Sequence, residues 1–183
     1  MSGHAHIDPA NKKVALLIAV LALVLAFSET LGKGSQTSAL ASHIEASNLW
    51  AFFQAKTIRQ TTIRTAAEEL DAQFGQKAPE TVKQQVDTWK KTAERYQSEP
   101  ETKEGRKELM DRAKQMEAKR DRAMAAYHNY EVASAAVQIA IVLASAQIIT
   151  GVAALLWIAY ALGAVGVAFS LIGFFWPTAV HLF

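Results

Sequence analysis

Charge disappears from the last third of the chain. From Val132 to Phe183 there is no Asp, Glu, Lys or Arg, and Thr150-Gly151 divides this run into Val132–Ile149 and Val152–Trp176. Neither stretch shows the polar face of a helix laid against a soluble core. Each is close to the ~20 residues that a helix needs to cross a bilayer. The pattern predicts a transmembrane hairpin. A buried hairpin in a soluble protein is the competing reading, but only ~100 polar residues would remain to cover it. A third apolar stretch, Val14–Leu31, follows Lys12-Lys13. A basic pair before an apolar run also resembles a secretory signal, yet Ser28-Glu29-Thr30 lacks the small-residue cleavage pattern. The expectation is an uncleaved first membrane helix over residues 14–31, preceded by a polar tail over residues 1–13.

Between these stretches the apolar residues recur at helical spacing. Ala46, Leu49, Phe53, Lys56, Gln60, Ile63, Ala67, Leu70 and Phe74 alternate steps of three and four, a heptad seam that two polar residues interrupt. Gly75 suits the residue after a helix end and Pro79 the first turn of the next. A second polar helix, Pro79–Tyr96, carries Val82, Val86, Trp89, Ala93 and Tyr96. Ser98-Glu99-Pro100 with Gly105 marks a break. A third helix from Lys107 has its seam at Leu109, Ala113, Met116, Arg120, Ala123, Tyr127 and Tyr130. The same phase enters the apolar stretch through Ser134, Val137, Ile141, Ala144 and Ile148. Thr37–Phe74 would rise ~57 Å, and the second helix and the polar part of the third ~27 Å and ~37 Å, so one long arm matches two shorter returning arms. The predicted fold class is all-α: three transmembrane helices (14–31, 132–149 and 152–176) plus a long antiparallel, coiled-coil-like extramembrane stalk over 32–131.

Composition sharpens this. All but Lys12 and Lys13 of the 19 basic residues, and all but Asp8 and Glu29 of the 17 acidic ones, lie between Lys33 and Glu131. That near balance argues against nucleic acid, which demands a net basic face. With no Cys there is no disulfide, thiolate metal site or Cys nucleophile. Repeated small residues four apart, Ala15/Ala19, Ala22/Ala26, Ala136/Ala140/Ala144 and Ala159/Gly163, suit close helix approach in lipid. Trp157, Tyr160 and Trp176 suit interface depth markers.

Candidate chemistry is sparse. Glu29 is the one ionisable residue inside an apolar stretch, and such residues tend to be functional unless they meet water at the interface. Lys56 and Gln60 at seam positions set register or oligomeric state, or line a pore. Trp50, Phe52 and Phe53 lie too close in sequence to share one face, which implies neighbours beyond one antiparallel partner or contact with the membrane surface. His4 and His6 lack a third metal ligand. His43 and His128, near Glu45 and Glu131, come without a nucleophile or metal set. Gly32-Lys33-Gly34-Ser35 lacks the upstream Gly and the preceding strand of a phosphate loop. No cofactor motif is present.

The segment Ser47-Asn48-Leu49-Trp50-Ala51-Phe52-Phe53-Gln54-Ala55-Lys56-Thr57-Ile58-Arg59 resembles the hallmark of a bacterial membrane family, the domain-of-unknown-function family numbered 4337. Its Trp-Ala-Tyr-Tyr-Gln-Ala-Lys core is flanked by one apolar helix before and two after, and Phe52-Phe53 stand here in place of Tyr-Tyr. The resemblance implies a bacterial inner-membrane protein without a known activity. Members often carry basic residues in the turn between the last two spans, where this chain has Thr150-Gly151.

Three spans put the tail and the Thr150-Gly151 turn on one side and the stalk on the other. Lys12-Lys13 ahead of the first span place the tail in the cytoplasm and the stalk in the periplasm, against Lys114, Lys119, Arg120 and Arg122 on the stalk side. The functional expectation is a non-enzymatic, homo-oligomeric scaffold or an accessory subunit of a larger membrane complex. Glu29, Trp50, Phe52, Phe53, Gln54, Lys56 and Gln60 are its candidate assembly residues. The alternative is an oligomeric pore using Glu29, Lys56 and Gln60.

Overall fold

The structure, a computed structural model, describes residues 9–180. It contains four α-helices and a short 3-10 turn: α1 Pro9–Phe74, the turn Gly75–Lys77, α2 Glu80–Gln97, α3 Arg106–Thr150 and α4 Ala153–Phe175. No strand occurs among the described residues. The chain is all-α, as the periodicity predicts.

Local chemistry sets the ends. Gly75 adopts φ +51, the left-handed conformation that closes a helix at little cost for glycine. The Pro79 carbonyl accepts from Val82 N at 3.0 Å and Lys83 N at 3.1 Å, starting α2. Gly151, at φ +70, separates α3 from α4. The third predicted helix does run unbroken from the charged region into the apolar one. The first differs from expectation. The span and the polar helix predicted as two segments are one helix, continuous through Gly32-Lys33-Gly34-Ser35. Gly32 sits inside it because a Cβ there would lie 3.3 Å from the Cβ of Tyr130. Its small size serves packing rather than a turn.

The buried and half-buried positions of α1 carry the four-and-three rhythm of the predicted seam back from Ala46 to Val14. Val14, Ile18, Leu21, Leu25, Ser28, Gly32, Ser35, Ala39 and Ser42 lead in phase into Ala46 and Leu49. Small and polar residues at Ser28, Gly32, Ser35 and Ser42 hide this continuity from a hydrophobicity count.

The chain packs as two compact units: the described residues up to Leu40 together with those from Asp121, and Ala41–Arg120. In the first, α1 runs antiparallel to α3 and parallel to α4, since Glu29 meets Gln138, Gly32 meets Tyr130, Leu21 meets Gly163 and Ser28 meets Ser170. The α4 face that is buried reads Ala159, Gly163, Gly166, Ser170 and Gly173, again in steps of four and three. A Cβ at Gly163 would lie 2.8 Å from Leu21 Cδ2. One at Gly166 would overlap Val137 Cγ2 and stand 3.1 Å from the Ala133 carbonyl. Packing at this distance is what associates helices in lipid, where apolar burial gives no net drive. Ala136, Ala140 and Ala144 are buried in these contacts, whereas Ala15, Ala19, Ala22 and Ala26 face outward. The Ser28 and Ser170 hydroxyls, 2.8 Å apart, add a polar tie.

The apolar parts of α1 and α3, and all of α4, are long and apolar enough to cross a membrane. Leu16, Phe27, Val142, Ile149 and Phe174 are exposed on their outer faces, with Trp157 and Trp176 at 75% and 66%. A surface of this kind is compatible with a membrane protein.

In the second unit α1 pairs antiparallel with α2 and then with the start of α3. Asp71 binds Lys90, Gln60 reaches Ala93, Thr57 meets Arg106 and Trp50 meets Glu117, in descending order along α1.

Two glycines separate packing from propensity. Gly34 is helical and has nothing within 4 Å of an added Cβ. Gly34→Ala should therefore stabilise by ~0.5–1 kcal/mol through helix propensity alone. Gly166→Ala should destabilise by ~1–3 kcal/mol, because the neighbours include backbone that cannot step aside. Thermal unfolding of the detergent-solubilised variants checks both signs.

Candidate functional site

Lys56 and Gln60 occupy seam positions of α1 and are 6% and 7% exposed. An ammonium and an amide at such positions need partners close by, because each unpaired polar group would cost a few kcal/mol. The partners come from the place where α2 ends and α3 begins.

Gln60 donates from Nε2 to the Ala93 carbonyl at 2.8 Å and to Gln97 Oε1 at 3.3 Å. Its Oε1 accepts from Arg106 Nη1 at 2.5 Å. The same guanidinium donates to Gln97 Oε1 at 2.9 Å and, through Nε, to Thr57 Oγ1 at 2.9 Å. Its plane lies 5.1 Å from the centre of the Phe53 ring. Lys56 Nζ stands 3.6 Å from Glu99 Oε2, and 5.6 Å and 5.1 Å from the Phe52 and Tyr96 ring centres. Glu99 is also paired with Arg95 at 3.5 Å. Ring faces and one carboxylate thus take the place of water around the buried ammonium.

The break itself is held by Glu108. Its carboxylate accepts from Ser98 Oγ at 2.6 Å and from the Glu99 amide at 3.2 Å. The hydrogen bond from Ser98 holds this carboxyl below its ordinary value of 4.5. Gly105 lies beneath it. A Cβ there would collide with the Glu108 carboxylate and the Glu99 amide, and would stand 2.7 Å from Ser98 Cα. Only glycine leaves room for the chain to turn from α2 into α3.

An apolar base supports the network. Leu49, Leu109 and Ala113 are buried, with Trp50, Phe53 and Met116 packed on them. Trp50 and Phe53 meet edge to face at 5.4 Å, and Trp50 Nε1 donates to Glu117 Oε1 at 2.9 Å. Burial of a Leu of this size contributes roughly 1.5–3 kcal/mol.

Of the seven residues singled out in the sequence, five converge here: Trp50, Phe52, Phe53, Lys56 and Gln60. Gln54 is exposed and outside the network. Glu29 belongs to the other unit, where it is exposed and accepts from Gln138 Nε2 at 3.2 Å, at the rim of an open groove of about 410 Å³ shared with Lys33, Tyr127 and Glu131. Arg106, Gln97, Glu99, Glu108 and Glu117 complete the site and were missed by sequence reasoning. The break signal at Ser98-Glu99-Pro100 and Gly105 could have found four of them, since buried polar seam residues must meet partners where a facing helix is interrupted. Among the described residues no three His, Asp or Glu side chains stand close enough to share a metal ion; His4 and His6 lie outside the described residues. Chemically, the arrangement joins three helical segments, with its polar atoms directed at one another.

Replacing Gln60 by Leu should destabilise by ~1–3 kcal/mol, because Arg106 loses an acceptor inside the seam. Thermal melting of the purified protein reads this. Glu108 supplies a pH signature. Its folded carboxyl titrates below 4.5, so its contribution is complete above that pH and is lost as pH falls through the lower folded value. Melting temperature measured from pH 6 downward should fall less steeply for Glu108→Gln than for the wild type.

Neither a curated protein nor a solved structure matches the chain. A family model matches residues 10–176, which include α1 nearly whole, the helix break with its polar network, and α4 to its end. On that match the chain belongs to the domain of unknown function family DUF4337.

Proposed function

We propose that this protein is a non-enzymatic membrane scaffold, a homo-oligomer or an accessory subunit of a larger membrane complex. One observation carries the reading. The signature around Trp50 is spent on architecture: its indole, both rings, Lys56 and the neighbouring Gln60 all engage helix segments of the same chain. A segment kept for substrate chemistry would present reactive groups to an accessible cavity. The resemblance to a bacterial family supports an inner-membrane location. Lys12-Lys13 ahead of the first span favour a cytoplasmic tail, and with it a periplasmic unit Ala41–Arg120.

The alternative is an oligomeric pore. It retains Glu29, whose bond to Gln138 lies on an open groove with Lys33 nearby. Lys56 and Gln60 would have to leave their intrachain partners to line a central axis, at a cost of several kcal/mol.

Two measurements test the reading. Light scattering of the detergent-purified protein should give a mass well above one chain plus detergent, or a pull-down from native membranes should recover a stoichiometric complex. A monodisperse monomer with no co-purifying partner overturns it. Reconstituted protein should pass no ions, and Glu29→Ala should leave assembly unchanged; flux that Glu29→Ala abolishes would transfer the case to the pore.

A further inference from the structure

On the side of α1 away from its buried seam runs a second stripe with the same repeat. In the unit Ala41–Arg120 it reads Ala41, Ile44, Asn48, Ala51, Ala55, Ile58, Thr62 and Thr65, in alternating steps of three and four. Every one of these residues is exposed, Ile44 at 52% and Ile58 at 67%. None is charged. The outer faces of the other two helices differ. On α2 they carry Lys83, Asp87, Lys90, Lys91 and Glu94, and on α3 Lys107, Asp111, Lys114 and Lys119, all exposed. The same phase of α1 stays free of charge back to Leu16, through Val20, Leu23, Phe27, Thr30, Gly34 and Thr37.

The geometry points to a second copy of this chain as the occupant: the stripe is a parallel α1–α1′ dimer seam. This rests on the homo-oligomeric form of the reading above and names its surface. Three observations select a copy rather than an unlike partner. In a parallel two-fold contact each residue faces itself, so any charge would meet an equal charge, and the stripe holds none over this length. Two copies with the same orientation in one membrane present α1 in parallel and at equal depth, which brings the stripes into register without further instruction. The stripe also has the chemistry of such a seam: Ala51 and Ala55 allow close approach, Ile44 and Ile58 supply apolar knobs, and one Asn lies among them. A single Asn at such a position pairs with its own copy and favours a parallel dimer.

The arrangement also accounts for Gln54. In a parallel pair the residue flanking the seam at Gln54 faces the residue five further on in the partner, which is Arg59. A neutral amide beside a guanidinium is a hydrogen-bonding pair, and it gives the exposed signature residue a role that the intrachain network does not.

The natural absence of cysteine makes the test direct. Single variants Ile44→Cys, Ala51→Cys and Ile58→Cys, in the full chain in native membranes, should each form disulfide dimers under mild oxidation. Their rates should exceed those of Arg64→Cys, Lys90→Cys and Lys114→Cys by about tenfold or more, since only facing positions bring the Cβ atoms within bridging distance. The double variant Ala51→Glu/Ala55→Glu should halve the protein mass by light scattering while its helical circular dichroism is kept. Asn48→Leu should keep association but relax the copy number. An oligomer that cross-links instead at Lys90→Cys or Lys114→Cys, or that survives the double Glu variant, overturns this seam and leaves the scaffold reading standing. A wild-type protein that is monomeric by light scattering removes the homo-oligomer and the seam together, while a stoichiometric complex in the pull-down would still support the accessory-subunit reading.

Discussion

A seven-residue repeat kept in phase along α1 is the constraint on which the other elements depend. An ideal straight helix drifts about 20° per heptad, which would carry a strict seam roughly half a turn off its partners by the end of α1. The seam nonetheless stays buried or half-buried from Val14 to Leu70. Within each unit the helices packed on it meet it with residues suited to the space available. In the unit that holds α4, Val14 and Leu21 of the seam are buried with Val137, Ala140, Ala144 and Ala159, and Gly163 lies against Leu21. In the unit Ala41–Arg120, Leu49 of the seam is buried with Leu109 and Ala113, and Met116 packs on them.

In a membrane, helices gain little by hiding apolar side chains, and close backbone approach with a few hydrogen bonds takes over; the glycine contacts and the Ser28–Ser170 pair are compatible with that setting. In water, burying a large side chain is itself favourable. One repeat thus runs through both units of the chain without losing phase.

The polar network at the helix break is the costliest place in the seam. A helix partner that stops at Gln97 and restarts at Arg106 exposes carbonyls and amides just where α1 must remain covered. Gln60 reaches the Ala93 carbonyl, Arg106 ties Gln60 to Gln97, Lys56 pairs with Glu99, and Glu108 holds the turn over Gly105. Buried polar groups of this kind stabilise little when satisfied and cost much when one is removed. Their effect is to forbid sliding, because any shift of register would strand several of them at once.

Much of this was legible from spacing alone. Alternating steps of three and four require nothing beyond the chain order, so the seams of all three polar segments, the turn at Gly75–Pro79 and the break near Gly105 could be read directly. The uncharged run after Val132 and the stretch after Lys13 likewise announced three helices suited to a membrane. The family signature could be placed on α1, yet its use could not. Lys56 was recognisable as out of place but not as the partner of Glu99, because ion pairs and hydrogen bonds join residues 33 to 67 positions apart only after the helices dock. Nor could Gly32 be told from a helix breaker until Tyr130 was seen against it. Periodicity is a property of one helix and is written in one segment. Partnership depends on which faces meet and how closely, and that was decided by packing alone.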